Sequence, residues 1–127
     1  MSKLLGIDYG SKRVGVAVSD ERGAIAFPRA TFPNDKNLIP ALAELIKKES
    51  VATVIVGDSR NAHGTDNPIM ADIRRFAGDL EWETGAVIYF EPEFYTSVEA
   101  RRSAGKHLVD AEAAAIILNS YIMRTAP

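Results

Sequence analysis

Apolar and polar positions alternate from the start of the chain: Leu5, Ile7 and Tyr9 interleave with Leu4, Gly6 and Asp8. After the polar turn Gly10-Ser11-Lys12-Arg13 the period of two resumes at Val14, Val16 and Val18, which predicts a β-hairpin. Glu21-Arg22-Gly23 makes a further turn, and Ala24-Ile25-Ala26-Phe27 returns as a short third strand that ends before Pro28. Leu38, Leu42, Leu45 and Ile46 then recur at helical spacing up to Glu49, with Asn37 as N-cap and Pro40 in the first turn, where a missing N–H costs little. The β-branched run Thr53-Val54-Ile55-Val56-Gly57 predicts a strand covered on both faces, placed centrally in the sheet. Pro68 opens a helix with the stripe Ile69, Ile73, Phe76, Ala77 and Leu80, and Ala86–Phe90 is the fifth strand. Thr96-Ser97-Val98-Glu99 has the spacing of a capping box and starts a short helix that carries Arg101 and Arg102 and stops near Gly105. The Ala-rich run Ala111–Leu118 is a last helix that packs closely on the sheet. The order β-β-β-α-β-α-β-α-α predicts an α/β fold: a β-meander, then helix-separated parallel strands, in one mixed five-stranded sheet with helices on its faces.

Length and charge narrow the function classes. A chain of 127 residues, 46% of them apolar, suits one domain spanning 1–127 with its own core. A formal charge of −2 argues against a general polyanion-binding surface, so nucleic-acid contact requires a local basic patch. The absence of cysteine removes disulfides, thiolate catalysis and sulfur-ligated zinc. No apolar run reaches membrane-spanning length, and the expectation is a soluble cytoplasmic protein with no membrane partner.

Chemistry enters through the acids. Asp8 interrupts an apolar strand, sharing a face with Leu4 and Gly6, and a buried carboxylate must find hydrogen bonds, a cation or a proton. Asp58 ends the fourth strand, Glu91 ends the fifth with Glu93 just beyond, and Asp110 begins a helix. Open sheets bind ligands at the carboxyl ends of their parallel strands, so these acids are expected to gather near Asp8 if the fourth strand neighbours the first. Their repulsion would be relieved by Mg²⁺ or Mn²⁺, and two such ions about 3.5–4 Å apart activate water and stabilise the leaving oxygen in phosphodiester hydrolysis. Simpler roles exist for each: N-capping for Asp110, loop capping for Asp58, a solvated surface for Glu91 and Glu93. His63 and His107 read as surface loop residues. Lys12 and Arg13, in the turn beside Asp8, are placed to hold a phosphate.

The run Gly-Ile-Asp-Tyr-Gly-Ser-Lys-Arg-Val-Gly-Val-Ala-Val-Ser-Asp from Gly6 resembles the signature of the YqgF (RuvX) family of RNase H-like proteins, described as Holliday junction resolvases and as pre-ribosomal-RNA nucleases. Val56-Gly57 with Asn61 and Gly64-Thr65, Thr96–Ala100, and Val109–Ala114 are similar to further family motifs, so the resemblance spans nearly the whole chain. It implies an RNase H-like fold, divalent-metal-dependent phosphodiester cleavage, and Asp8 and Asp110 as two catalytic acids. Two departures matter. The family's Asp-Glu-Arg after the fifth strand is replaced by Glu91-Pro92-Glu93-Phe94, which leaves the second acid ambiguous: Glu93 aligns counting back from Val98, Glu91 counting forward from the strand. Its usual Leu-Pro after the strand-four glycine is here Asp58-Ser59, from which we expect Asp58 to share the metal-binding duty.

The expectation is therefore a metal-dependent nuclease acting on precursor ribosomal RNA or a Holliday junction, in a ribosome-assembly setting in the first case and as a homodimer in the second. Asp8, Asp58 and Asp110 bind the metal, Glu91 or Glu93 completes the catalytic acids, and Lys12, Arg13, Arg60 and Asn61 position the backbone. The alternatives are a catalytically inactive RNase H-like module that binds nucleic acid or the ribosome, and an actin-like ATPase, for which one domain lacks the second lobe.

Overall fold

The computed structural model describes residues 2–58, 69–92 and 110–126. Within these, the elements are β1 (Lys3–Tyr9), β2 (Arg13–Ser19), β3 (Ala26–Pro33), α1 (Leu38–Lys48), β4 (Val51–Asp58), α2 (Met70–Thr84), β5 (Val87–Pro92) and α3 (Asp110–Thr125). The expected short helix at 96–105 lies outside the described residues. The strands form one sheet in the order β3-β2-β1-β4-β5. β1–β2 and β2–β3 pair antiparallel, β1–β4 and β4–β5 parallel. Thus β1 is the middle strand and β4, expected at the centre, lies beside it.

Alternation along the strands divides the core in two. Leu5, Ile7, Val14, Val16, Val54 and Val56 pack under α1 and α2, whereas Ala17 and Ile55 pack under α3. Helices therefore cover both faces. α1 buries Leu38, Leu42, Leu45 and Ile46, the spacing read from the sequence; α2 buries Ile73, Phe76, Ala77 and Leu80 of its expected stripe together with Met70, while Ile69 is its half-buried N-cap residue. Asn37 occupies the cap position of α1 without a side-chain cap bond; instead the Asn37 N–H donates to Asp35 Oδ1 at 2.9 Å.

β3 is longer than its sequence foretold, running through Pro28. A register shift between Val16 and Ala17 bulges β3 at this point, and β3 is an edge strand, so a residue without N–H leaves the ladder intact.

Glu49, after α1, accepts Lys3 Nζ at 2.8 Å and Arg29 Nε at 3.2 Å, tying β1 and β3 to the helix end. These two cations, Lys3 first, hold its carboxyl below the usual range. A depressed carboxyl pKa contributes stability above the unfolded value and loses it as pH falls through the folded one. Glu49→Gln is thus expected to cost about 1 kcal/mol at neutral pH, since partly exposed pairs are weak. In thermal melts the gap to the parent should close as pH falls below the ordinary 4.5.

Candidate active site

The site grows from two glycines. On β1 and β2, Gly6 and Gly15 turn their bare Cα toward α3. A Cβ at Gly6 would stand 2.7 Å from Leu118 Cβ and 2.9 Å from the Ala114 carbonyl oxygen. At Gly15 it would stand 2.0 Å from the Asp110 carbonyl oxygen. The small residues Ala111, Ala113, Ala114 and Ala115, all buried, let the helix approach this closely. Close packing here is what puts the first residue of α3 against β2.

Asp8 is the register partner of Gly15. Directly paired residues of antiparallel strands share a face, so the buried Asp8 side chain projects on the side of the sheet where α3 begins. Asp8 and Asp110 are thereby brought to one rim of the sheet. Asp110 lies in the first turn of α3, where the helix dipole favours a negative charge, and Glu112 follows in the same turn.

Arg13 closes this rim. Its Nε donates to Asp110 Oδ2 at 2.9 Å, linking residues 97 apart in sequence. The turn that carries it is fixed at both ends: Gly10 N–H donates to the Arg13 carbonyl at 2.9 Å, and the Asn34 side chain donates to the Gly10 carbonyl at 2.8 Å. Asn34 also gives its own N–H to the Lys12 carbonyl. Sequence reading missed Asn34 in this role, because nothing local distinguishes a clamp from a loop asparagine.

The other acids go elsewhere. β4 pairs Val56 with Ile7, so Asp58 lies past the level of Asp8 and its alternation follows Val54 and Val56. Those valines pack under α1 and α2, which sets Asp58, itself buried, on the face opposite Asp8. The expected partnership of Asp58 with Asp8 is not what this register gives. Glu91 does face α3 but is neutralised within the fold. Its carboxylate, fully buried, accepts from Ser120 Oγ at 2.9 Å and from Arg124 through both Nε and Nη2. Ser120 and Arg124 stand one turn apart on α3, a spacing visible in the sequence once the helix is known. Glu91, expected as a candidate catalytic acid or else as a solvated surface residue, is thus a buried ion pair. Arg124→Ala should cost about 2–3 kcal/mol in denaturant unfolding, somewhat under the 3–5 of a fully buried pair because Arg124 is 48% exposed. Replacing both Glu91 and Arg124 by Met should cost much less.

Among the described residues no three acidic or histidine side chains converge to hold an ion. The four-acid cluster expected from the sequence is therefore reduced here to Asp8 and Asp110, while Glu93, Arg60 and Asn61 lie outside the described residues. Two carboxylates at one rim still suit a hard dication that keeps several of its waters, since Mg²⁺ is commonly held by one or two carboxylates together with substrate phosphate.

Comparison with known proteins settles the lineage. The RuvX family model, described as Holliday junction resolvase, matches residues 2–124. The chain belongs to the RuvX family. It is thereby placed among nucleases, hydrolases of phosphodiester bonds. A relative from Nitratidesulfovibrio vulgaris strain Miyazaki F, named "Putative pre-16S rRNA nuclease", is 37% identical, with 94% of this chain and 92% of the relative covered. One of the same name from Moorella thermoacetica is 33% identical over 96% and 95%. The RuvX chain also shares its fold with Thermus thermophilus RuvC, solved in complex with a Holliday junction substrate: TM-score 0.62 at 15% identity, covering 98% of this chain and 97% of that one. The fowlpox virus resolvase gives 0.56 at 13%, covering 98% and 99%. These likenesses bear out the RNase H-like architecture read from the family signature.

Proposed function

We propose that this single-domain protein is a divalent-metal-dependent nuclease of structured nucleic acid, with precursor ribosomal RNA as its substrate and ribosome assembly in the cytoplasm as its setting. The observation that carries the reading is the pairing of Asp8 with Gly15, on which the first residue of α3 rests. Asp8 and Asp110 would hold Mg²⁺ or Mn²⁺, and Glu93, counted back from Val98, is our choice of third acid. A bound dication would supply Lewis acidity at the scissile phosphate and lower the pKa of the attacking water. Asp8 is held on a paired strand and Asp110 at a helix start packed on that sheet, so neither must be ordered at the moment of reaction. Lys12, Arg13, Arg60 and Asn61 would fix the phosphate backbone without reading its sequence.

The family description favours a second substrate, the four-way DNA junction, whose two-fold symmetry would match a homodimer. Purified protein should cleave a precursor ribosomal RNA fragment, stop on chelation of divalent ions and resume with added Mg²⁺. Glu93→Gln should abolish this turnover and Asp58→Asn should leave it within about twofold, the size of effect left once a residue is away from the reacting atoms. Binding without cleavage at every Mg²⁺ or Mn²⁺ concentration would instead identify an inactive binding module. Cleavage of junction DNA in preference to RNA would move the assignment to resolution.

A further inference from the structure

The bond from Arg13 to Asp110 joins a phosphate-seeking cation to an acid that the proposed function assigns to the dication. We propose that Arg13 is the exchangeable counter-ion of Asp110: it covers the carboxylate in the free protein and transfers to a substrate phosphate, so that nucleic acid and divalent ion bind cooperatively. The inference rests on the reading of Asp110 as an ion-holding acid.

Three features support exchange. The contact is one Nε–Oδ2 bond at 2.9 Å, while the Arg13 side chain is 61% exposed and Asp110 25%. An exposed pair of this kind is weak, whereas a guanidinium meets phosphate through a charge-assisted, commonly bidentate fork. The backbone beneath Arg13 is pinned by Gly10 and Asn34, so only the side chain has to swing. When it leaves, Asp110 stands at one rim with the buried Asp8 and no longer has the guanidinium bonded to it. A dication then becomes more favourable there, and by linkage a bound dication favours the Arg13–phosphate state to the same degree.

Manganese affinity, read from the loss of the free Mn²⁺ paramagnetic signal, tests this with and without a phosphorothioate stem–loop RNA. Uptake by RNA alone is subtracted. The parent protein should bind Mn²⁺ about tenfold more tightly once the RNA is present, within the usual span of coupling between sites. Arg13→Gln should bind Mn²⁺ about five- to tenfold more tightly than the parent without RNA and show under about twofold coupling; Arg13→Lys should recover part of the coupling. Lys48→Gln removes the same charge from an exposed side chain in the last turn of α1, outside the proposed site, and should leave the RNA-free Mn²⁺ affinity within about twofold, because exposed charges off the site are screened. Equal coupling in the parent and Arg13→Gln, or equal effects of the Lys48 and Arg13 variants, overturns the exchange while leaving Asp110 as a ligand. Mn²⁺ binding that Asp8→Asn and Asp110→Asn do not weaken overturns the reading of the site, and the exchange with it.

Discussion

Asp8→Asn is expected to lower the cleavage rate at saturating Mg²⁺ by at least about 10²–10³-fold, the scale on which one preorganised charge acts in such sites. The substitution keeps the size and shape of the side chain but removes the charge that would attract a dication. Asp8 is almost wholly buried and flanked by Ile7, which is fully so. Because asparagine fits the same space, the melting profile and circular dichroism should stay within about 1 kcal/mol of the parent. A well-folded Asp8→Asn protein that turns over RNA at the parental rate would remove Asp8 from the chemistry.

Gly15→Ala should be strongly damaging, its added methyl meeting closer neighbours than one at Gly6, Gly10, Gly23, Gly78 or Gly85. Real Cβ atoms essentially never come within 3.0 Å of such neighbours, and this one would stand 2.0 Å from the Asp110 carbonyl oxygen and 2.2 Å from its carbon. Both are backbone, so no flexible side chain can yield. The start of α3 must retreat by about 1 Å (3.0 less 2.0), or β2 must buckle. Overpacking of this kind costs about 3 kcal/mol, and a 1 Å displacement of a positioned group costs about 10²-fold in rate. Unfolding by urea and cleavage at a temperature where the variant is still folded separate the two effects. Gly78→Ala is the control: apart from its chain neighbours and the backbone of its own helix turn, nothing lies within 4 Å of its added Cβ, and within α2 it should stabilise by about 0.5–1 kcal/mol.

Sequence periodicity was a good guide to what each segment becomes and a poor guide to which acids meet. Asp8 stood out because a carboxylate inside an apolar strand demands explanation, and Asp110 because it precedes an alanine-rich helix. Asp58 looked equivalent, sitting at the carboxyl end of the neighbouring strand. It differs because the face of a strand residue depends on register: a shift of one position exchanges the two sides, and Ile7 pairs with Val56, so Gly57 and not Asp58 shares the level of Asp8. Glu91 likewise could not be separated from a surface acid until Arg124 was seen against it, 33 residues later in the chain. Pro28 misled in the other direction, since proline ends an interior strand but is tolerated on an edge.

For the described residues the chain by itself determined the order of strands and helices though not the extent of β3, most of the stripes that α1 and α2 bury, and the presence of an acid that an apolar strand would otherwise exclude, because these depend on periods of a few residues. Only the tertiary structure decided which acids face one another, where Arg13 rests and which glycine admits the helix. Those outcomes depend on register between strands and on contacts such as Arg13 to Asp110, spanning 97 residues, whose geometry no local pattern encodes.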